Sequence, residues 1–360
     1  MYTSMSRIIF QLQSKGRLFE GMLKNGITED VASEIFQKLS AFASFGFPES
    51  HSASFAYLVY ASAWFKYHFP AAFCAALIRA QPMGFWSPGT LVEDAKRHGV
   101  DVITPHVNNP DHRADLKIGK DGGMALQIGI LSIKGIGAKL AKEIAERGPY
   151  KSLEHLARTV VISSSQIEAL AVAGALDGLK ADDMSLQKLD TRSALWAAGP
   201  SSHYSKEFLP SMVLGTRAPS IRQLSSRERS YMQLSSYGIS PQGHPMLFER
   251  DRLSSLGVVS ANKLKDLPNG KKVKVAGIVT HRQRPATANG ITFVNLEDET
   301  GLMNIVCSKG LWIRYRSIVG RSPALIVLGR IEEAGGVINI IAEKVETLVL
   351  EVKCSSRDFH

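Results

Sequence analysis

The chain has 360 residues, enough for two or three domains that each bury a core, and its 44% hydrophobic and 21% charged content is that of an ordinary soluble protein. The 43 Lys and Arg outnumber the 33 Asp and Glu, and a net charge of +10 points to a polyanionic partner, most often nucleic acid. Cys74, Cys307 and Cys354 are scattered and form no Cys-x-x-Cys pair, no apolar run reaches the roughly 20 residues that cross a bilayer, and the first residues lack a signal peptide's apolar core; a zinc site, a disulfide scaffold and a membrane protein are argued against, and a reducing, cytoplasmic setting is expected.

Residues 17–44 carry Leu18, Met22, Val31, Ile35, Leu39 and Phe42 at helical spacing, with Thr28 as N-cap and Glu29 and Asp30 in the first turn. Phe45 to Glu49 leads into Ser50, His51 and Ser52, a polar run between helices; its hydroxyls and imidazole suit a triphosphate, and they suit a capping turn equally well. Residues 54–80 are apolar and Ala-rich, which predicts buried helix broken at Pro70. A loop over 82–90, a short helix over 90–98, a strand at Val100–Ile103 and a loop from Pro105 to Asp111 follow. Leu126 to Leu179 reads as several short helices, and 180–230, rich in Ser, as a linker with some helix. From Lys271 the apolar period changes to two. Five strands joined by Gly-rich turns predict a small closed barrel of the OB type. The expected class is therefore α+β and multidomain, a mostly helical N-terminal half followed by an OB-type barrel.

The most specific signal is Ile130-x-x-Ile133-Lys134-Gly135-Ile136-Gly137-x-Lys139, followed by Leu140, Ala141 and Ile144. It resembles the helix-hairpin-helix motif. Apolar anchors end one element, Gly135-Ile136-Gly137 makes a turn too tight for large side chains, and a second helix starts at once. Its first N–H groups have no partner within the helix and the dipole there is positive, so a DNA phosphate can sit on them, with Lys134 and Lys139 adding charge. Such contacts hold the backbone and read no sequence. Residues 149–178 are expected to supply a second hairpin.

In the barrel, Lys271, Lys272, Lys274, His281, Arg282 and Arg284 fall within a stretch that holds no acid, with Phe293 on the next strand and Trp312 and Tyr315 beyond. Cations for phosphate and ring faces for stacking are what unpaired bases need. Lys274, His281, Arg282, Arg284, Phe293 and Trp312 are thus the expected single-strand contacts. Glu297-Asp298-Glu299-Thr300-Gly301 reads as a solvated hairpin tip and not as a metal site, because a two-metal centre needs acids that converge. No catalytic residue and no metal ligand is assigned.

Phe45 to Ser52, with Ala61-Ser62-Ala63-Trp64 and Tyr67 to Phe73 behind it, resembles the fingers of bacterial C-family DNA polymerases. Ala80 to Phe85, Thr280 to Thr287 and Ser356 to Phe359 resemble their error-prone branch. The resemblance implies the end of the fingers over 1–105, a helix-hairpin-helix region over 106–200, a linker with helices over 201–269, an OB domain over 270–350 and a tail over 351–360. It also implies that Ser50, His51 and Ser52 lie near the incoming nucleotide. The family's palm carboxylates precede the fingers and are missing here, so the chain is expected to be a C-terminal fragment. It would bind duplex and single-stranded DNA without polymerising and without a cofactor of its own. The resemblance further implies Mg²⁺ for the intact polymerase, a role in damage-induced mutagenesis and translesion synthesis, and a sliding clamp and other mutagenic-complex proteins as partners. The alternatives are a free-standing DNA-binding accessory module and a nonfunctional remnant of a truncated gene.

Overall fold

Helical and alternating apolar patterns segregate along the chain as expected, and the backbone follows them. The computed structural model describes residues 16, 18–44, 49–84, 86–204, 215–285, 288–350 and 357–359, with backbone alone at 39–44, 49–51 and 357–359. It divides into two compact units, one ending at Tyr67 and one starting at His68.

In the first unit, Thr28 accepts the first helical hydrogen bond from Ala32 N at 2.9 Å, and α1 (Glu29–Ser44) follows with its acidic first turn. Next comes α2 (Glu49–His68). Ser50, His51 and Ser52 lie in its first turn, not between helices, and Ser52 is exposed. The side chains of Ser50 and His51, and all of Phe45 to Pro48, lie outside the described residues. The expectation that this helix is buried is overturned: Tyr57, Tyr60 and Tyr67 are 74%, 77% and 81% exposed, and Phe55, Leu58 and Val59 are exposed beside them. An apolar run of this length identifies a helix; what covers the helix lies outside the run.

The second unit opens with α3 (Pro70–Arg79), α4 (Pro88–Arg97) and a small sheet that the sequence reading missed beyond its first strand. Its strands are β1 (Val102–Ile103), β2 (Asp115–Ile118) and β3 (Met124–Gln127), in the order β1-β3-β2. After a 3-10 turn at Ile130–Ser132 come α5 (Ala138–Arg147), α6 (Leu153–Thr159), α7 (Ser164–Val172), α8 (Thr191–Ser201) and α9 (Ser226–Tyr237). One hydrophobic core runs through these elements from Ala71 to Ile239, so residue 105 falls inside it. So does the first part of the Ser-rich stretch, through Ala181, Leu189, Ala194, Ala197 and Ala198. Many of the serines there and upstream are helix caps: Ser152, Ser163 and Ser225 each accept from an amide of the helix that follows.

The barrel follows a 3-10 turn at Pro245–Glu249, α10 (Arg250–Ser255), β4 (Val258–Val259) and a second 3-10 turn at Ala261–Asp266. Its strands are β5 (Lys272–Gln283), β6 (Thr292–Asp298), β7 (Gly301–Cys307), β8 (Ala324–Ala334) and β9 (Val337–Thr347). They run in the order β5-β6-β7-β9-β8, and β5 pairs with β8 to close the ring. All five expected strands are present, each longer than its sequence pattern. Between β7 and β8 stands α11 (Lys309–Arg321), a helix the sequence reading did not assign. A short β10 (Arg357–Phe359) lies parallel to the far end of β5. No helix among the described residues is long and apolar enough to cross a membrane.

Candidate nucleic-acid interface

The hairpin is built from three isoleucines and two glycines. Ile130, Ile133 and Ile136 are all buried and pin the turn to the core. Ile136 N donates to Ile133 O at 3.1 Å, and Gly135 takes φ +90°, a conformation that side chains oppose. Gly137 is the N-cap of α5 and has no side chain to cap it. The amides of Ala138, Lys139 and Leu140 have no acceptor among the described residues. Gly135, Gly137 and Lys139 are exposed around them. The turn thus presents free N–H groups at the positive end of a helix, with backbone rather than side chains at the surface.

Two of the expected contacts have other work. Ile136 is buried and its amide donates to Ile133 O, so it shapes the turn. Lys134 donates through its backbone N to Ser236 O at 3.0 Å and through Nζ to Ser235 O at 2.6 Å. It closes the C-terminal end of α9, where unpaired carbonyls and the helix dipole favour a cation. Lys139, beside the free amides, has no ion pair among the described residues.

The basic run on β5 is not one groove. Arg282 is buried, its Nε donating to Val319 O at 2.5 Å and its Nη2 to Ser322 O; it fastens the end of α11. His281 is also buried, with its ring edge-on to Trp86 at 5.6 Å between centroids and Nδ1 at 3.1 Å from Thr280 Oγ1. Lys274 Nζ donates to Leu256 O at 3.0 Å, and Lys272 pairs with Glu343 at 2.8 Å. Strand alternation and a register shift between Val279 and His281 send neighbours in sequence to different sides. Of the expected contacts, Arg284 and Phe293 stay exposed. Arg284 lies over the Trp312 ring at 5.1 Å, and Trp312 itself packs half-buried against the barrel core from α11. Its platform is thus already covered by a guanidinium.

The acid-rich tip is a buried junction instead of a solvated turn. Glu297 and Asp298 are 4% and 0% exposed. Arg97 of α4 reaches Glu297 at 3.0 Å, and Arg250 of α10 reaches Asp298 at 3.1 Å and Glu299 at 2.5 Å. Asp298 also accepts from the amides of Ala261, Thr300 and Gly301 and from Thr300 Oγ1. These carboxylates are occupied by cations and N–H donors, so they do not fit a pair of Mg²⁺ ions. No group of three or more His, Cys, Asp or Glu suited to a metal occurs among the described residues.

Glu93, His244 and Glu297 line one cavity of about 330 Å³ beside this junction. Burial pushes the Glu297 carboxyl up to about 7 from 4.5, against the pull of Arg97, and burial pushes His244 down to about 3 from 6.5. Folded Glu297 holds a proton that the unfolded chain releases, so its contribution is lost as pH rises from about 4.5 to about 7. Folded His244 refuses a proton that the unfolded chain takes, so its contribution is lost as pH falls below about 6.5. The two oppose each other between about 4.5 and 6.5. Glu297→Gln removes one arm, and denaturant unfolding should then gain stability more steeply with rising pH across that window than the parent. Parallel profiles would refute the assignment.

Sequence reasoning missed the outer face of α11, where Lys309, Arg314, Arg316 and Arg321 are exposed. The signal was present: Leu311, Trp312, Tyr315, Ile318 and Val319 recur at helical spacing and all pack on the barrel.

Two families match. The helix-hairpin-helix motif matches residues 99–186, and the OB-fold nucleic acid binding domain matches 273–348. The error-prone DNA polymerase of Nocardia farcinica is 47% identical over 350 residues, which are 96% of this chain and 30% of that protein. That of Mycobacterium tuberculosis is 44% identical over 96% of this chain and 31% of its own length, and that of Cutibacterium acnes 39% identical over 95% and 33%. The chain thus spans about a third of the length of the curated relatives it matches. Across almost all of its residues, this chain is a homologue of the error-prone DNA polymerases, corresponding to their C-terminal portion.

Proposed function

We propose that this chain is the DNA-handling part of an error-prone DNA polymerase, with the hairpin before α5 gripping the duplex backbone and the barrel meeting single-stranded template. The observation that carries the reading is the start of α5: glycine on both sides of Ile136, and, among the described residues, amides without acceptors and a Lys139 without an ion pair. The intact polymerase would extend primers across damaged templates, with Mg²⁺ held by carboxylates in the other two-thirds of its length. By the same homology, Ser50, His51 and Ser52 would face the incoming nucleotide, and the clamp and mutagenic partners would bind the whole enzyme. The exposed aromatic face of α2 supports a chain that packs against more protein over a free-standing module.

Fluorescence anisotropy with short duplexes tests the grip. Lys139→Ala should weaken binding equally for unrelated sequences and flatten the log K against log salt slope by about 0.9, one phosphate contact. Lys134→Ala should mainly lower stability, by about 1 kcal/mol, because it uncaps α9. An unchanged slope for Lys139→Ala, or a loss confined to one sequence, would refute the contact.

A further inference from the structure

We infer that the outer face of α11 is a second phosphate-binding surface, one that tracks the backbone of single-stranded DNA as it leaves the barrel. The inference rests on the function proposed above. In α11, Leu311 and Val319 are buried and Trp312, Tyr315 and Ile318 pack on the barrel core, although the backbone leaves helical geometry at Tyr315 (φ −113°, ψ 20°). The cations stay outside that packing, on the side where Ile313 is also exposed. Lys309, Arg314, Arg316 and Arg321 are exposed, the helix contains no acid, and none of the four has an ion pair or hydrogen bond among the described residues. A face that serves only for solubility mixes both signs.

Helix capping does not account for these charges. Ser308 Oγ accepts from Leu311 N at the start, and the buried Arg282 takes the carbonyls of Val319 and Ser322 at the end. The acids on neighbouring β9 are also taken: Glu343 by Lys272 and Arg330, and Glu346 by Lys344.

Cations recur along the whole element: Lys309 and Arg316 lie seven residues apart, as do Arg314 and Arg321. Gly310 has open space around its Cα, and Ser317 is exposed; both are small, so a sugar-phosphate chain can approach between the cations. Arg284, stacked on Trp312, extends the charge toward β5, whose partner strand presents Phe293. A stacking ring on the strand beside Arg284, together with cations, is the chemistry of single-strand binding.

The test is anisotropy of the full chain with a fluorescent single-stranded oligonucleotide across a salt series. The quadruple variant Lys309→Gln/Arg314→Gln/Arg316→Gln/Arg321→Gln should keep its unfolding midpoint and lose about 2 to 3 from the salt slope, since each phosphate contact on a single strand contributes about 0.7. Arg314→Gln and Arg316→Gln alone, each at an exposed site, should each lose about 0.7 and remain readable if the quadruple variant misfolds. If slopes match the parent while Lys139→Ala still flattens duplex binding, the α11 surface is refuted and the DNA-handling reading stands. If the parent chain binds no oligonucleotide, both fall.

Discussion

Asp298→Ala should destabilise the second unit by about 3–5 kcal/mol, the range for removing one partner from a buried ion pair. Asp298 is wholly buried and is the common acceptor of the junction: it takes hydrogen bonds from the amides of Ala261, Thr300 and Gly301, from Thr300 Oγ1 and from Arg250. Alanine would leave these donors dry and unpaired and would leave Arg250 with only Glu299, at the point where α10 and the second 3-10 turn meet the β6–β7 hairpin. Asp298→Asn keeps an acceptor and the shape, and it should cost less than Asp298→Ala. Urea unfolding of the three proteins decides the matter. A loss near 0.5 kcal/mol for Asp298→Ala would mean that the tip is solvated after all, since exposed pairs contribute about that much.

Gly129→Ala should cost about 3 kcal/mol, at the top of the usual range for forcing atoms into a filled interior. A Cβ there would stand 2.2 Å from the carbonyl carbon of Arg113 and 2.4 Å from its oxygen, and 2.4 Å from His112 O. All three are backbone atoms, so no side chain can swing aside. The segment cannot drift either, because Leu131 N holds His112 O at 2.9 Å. The 3-10 turn at Ile130–Ser132 would have to move, and Ile130 and Ile133, which seat the Gly135–Gly137 turn proposed to grip phosphate, would move with it. Stability and duplex affinity should therefore fall together. Gly137→Ala is the contrast: φ is −76° and nothing lies within 4 Å of the added methyl, so the loss should be limited to the roughly 1 kcal/mol by which Ala is poorer than Gly as an N-cap. Denaturant titration beside duplex anisotropy separates them. A Gly129→Ala protein as stable as Gly137→Ala would show that the close approach at Arg113 is wrong.

The hairpin and the five barrel strands were legible in the linear pattern because their signals are local. A glycine pair flanked by isoleucines, and apolar residues alternating over five to ten positions, state their geometry without reference to the rest of the chain. Lys139 and Phe293, expected as contacts, are exposed. The residues read wrongly were those whose partners are distant. Arg282 answers to carbonyls at the end of α11, Lys134 to the end of α9, and Glu297 and Asp298 to Arg97 and Arg250. A charge run cannot say which of its members fold inward. The apolar stretch of α2 likewise announced a helix and left its covering undetermined.

What the sequence by itself determined is where the chain turns and which period each segment follows, hence a helical half with a helix-hairpin-helix turn and a closed barrel. What only the tertiary structure decided is which charges remain available to a ligand. Backbone geometry is set by steric limits within a few residues, whereas the fate of a charge depends on burial and on partners that folding brings from far along the chain.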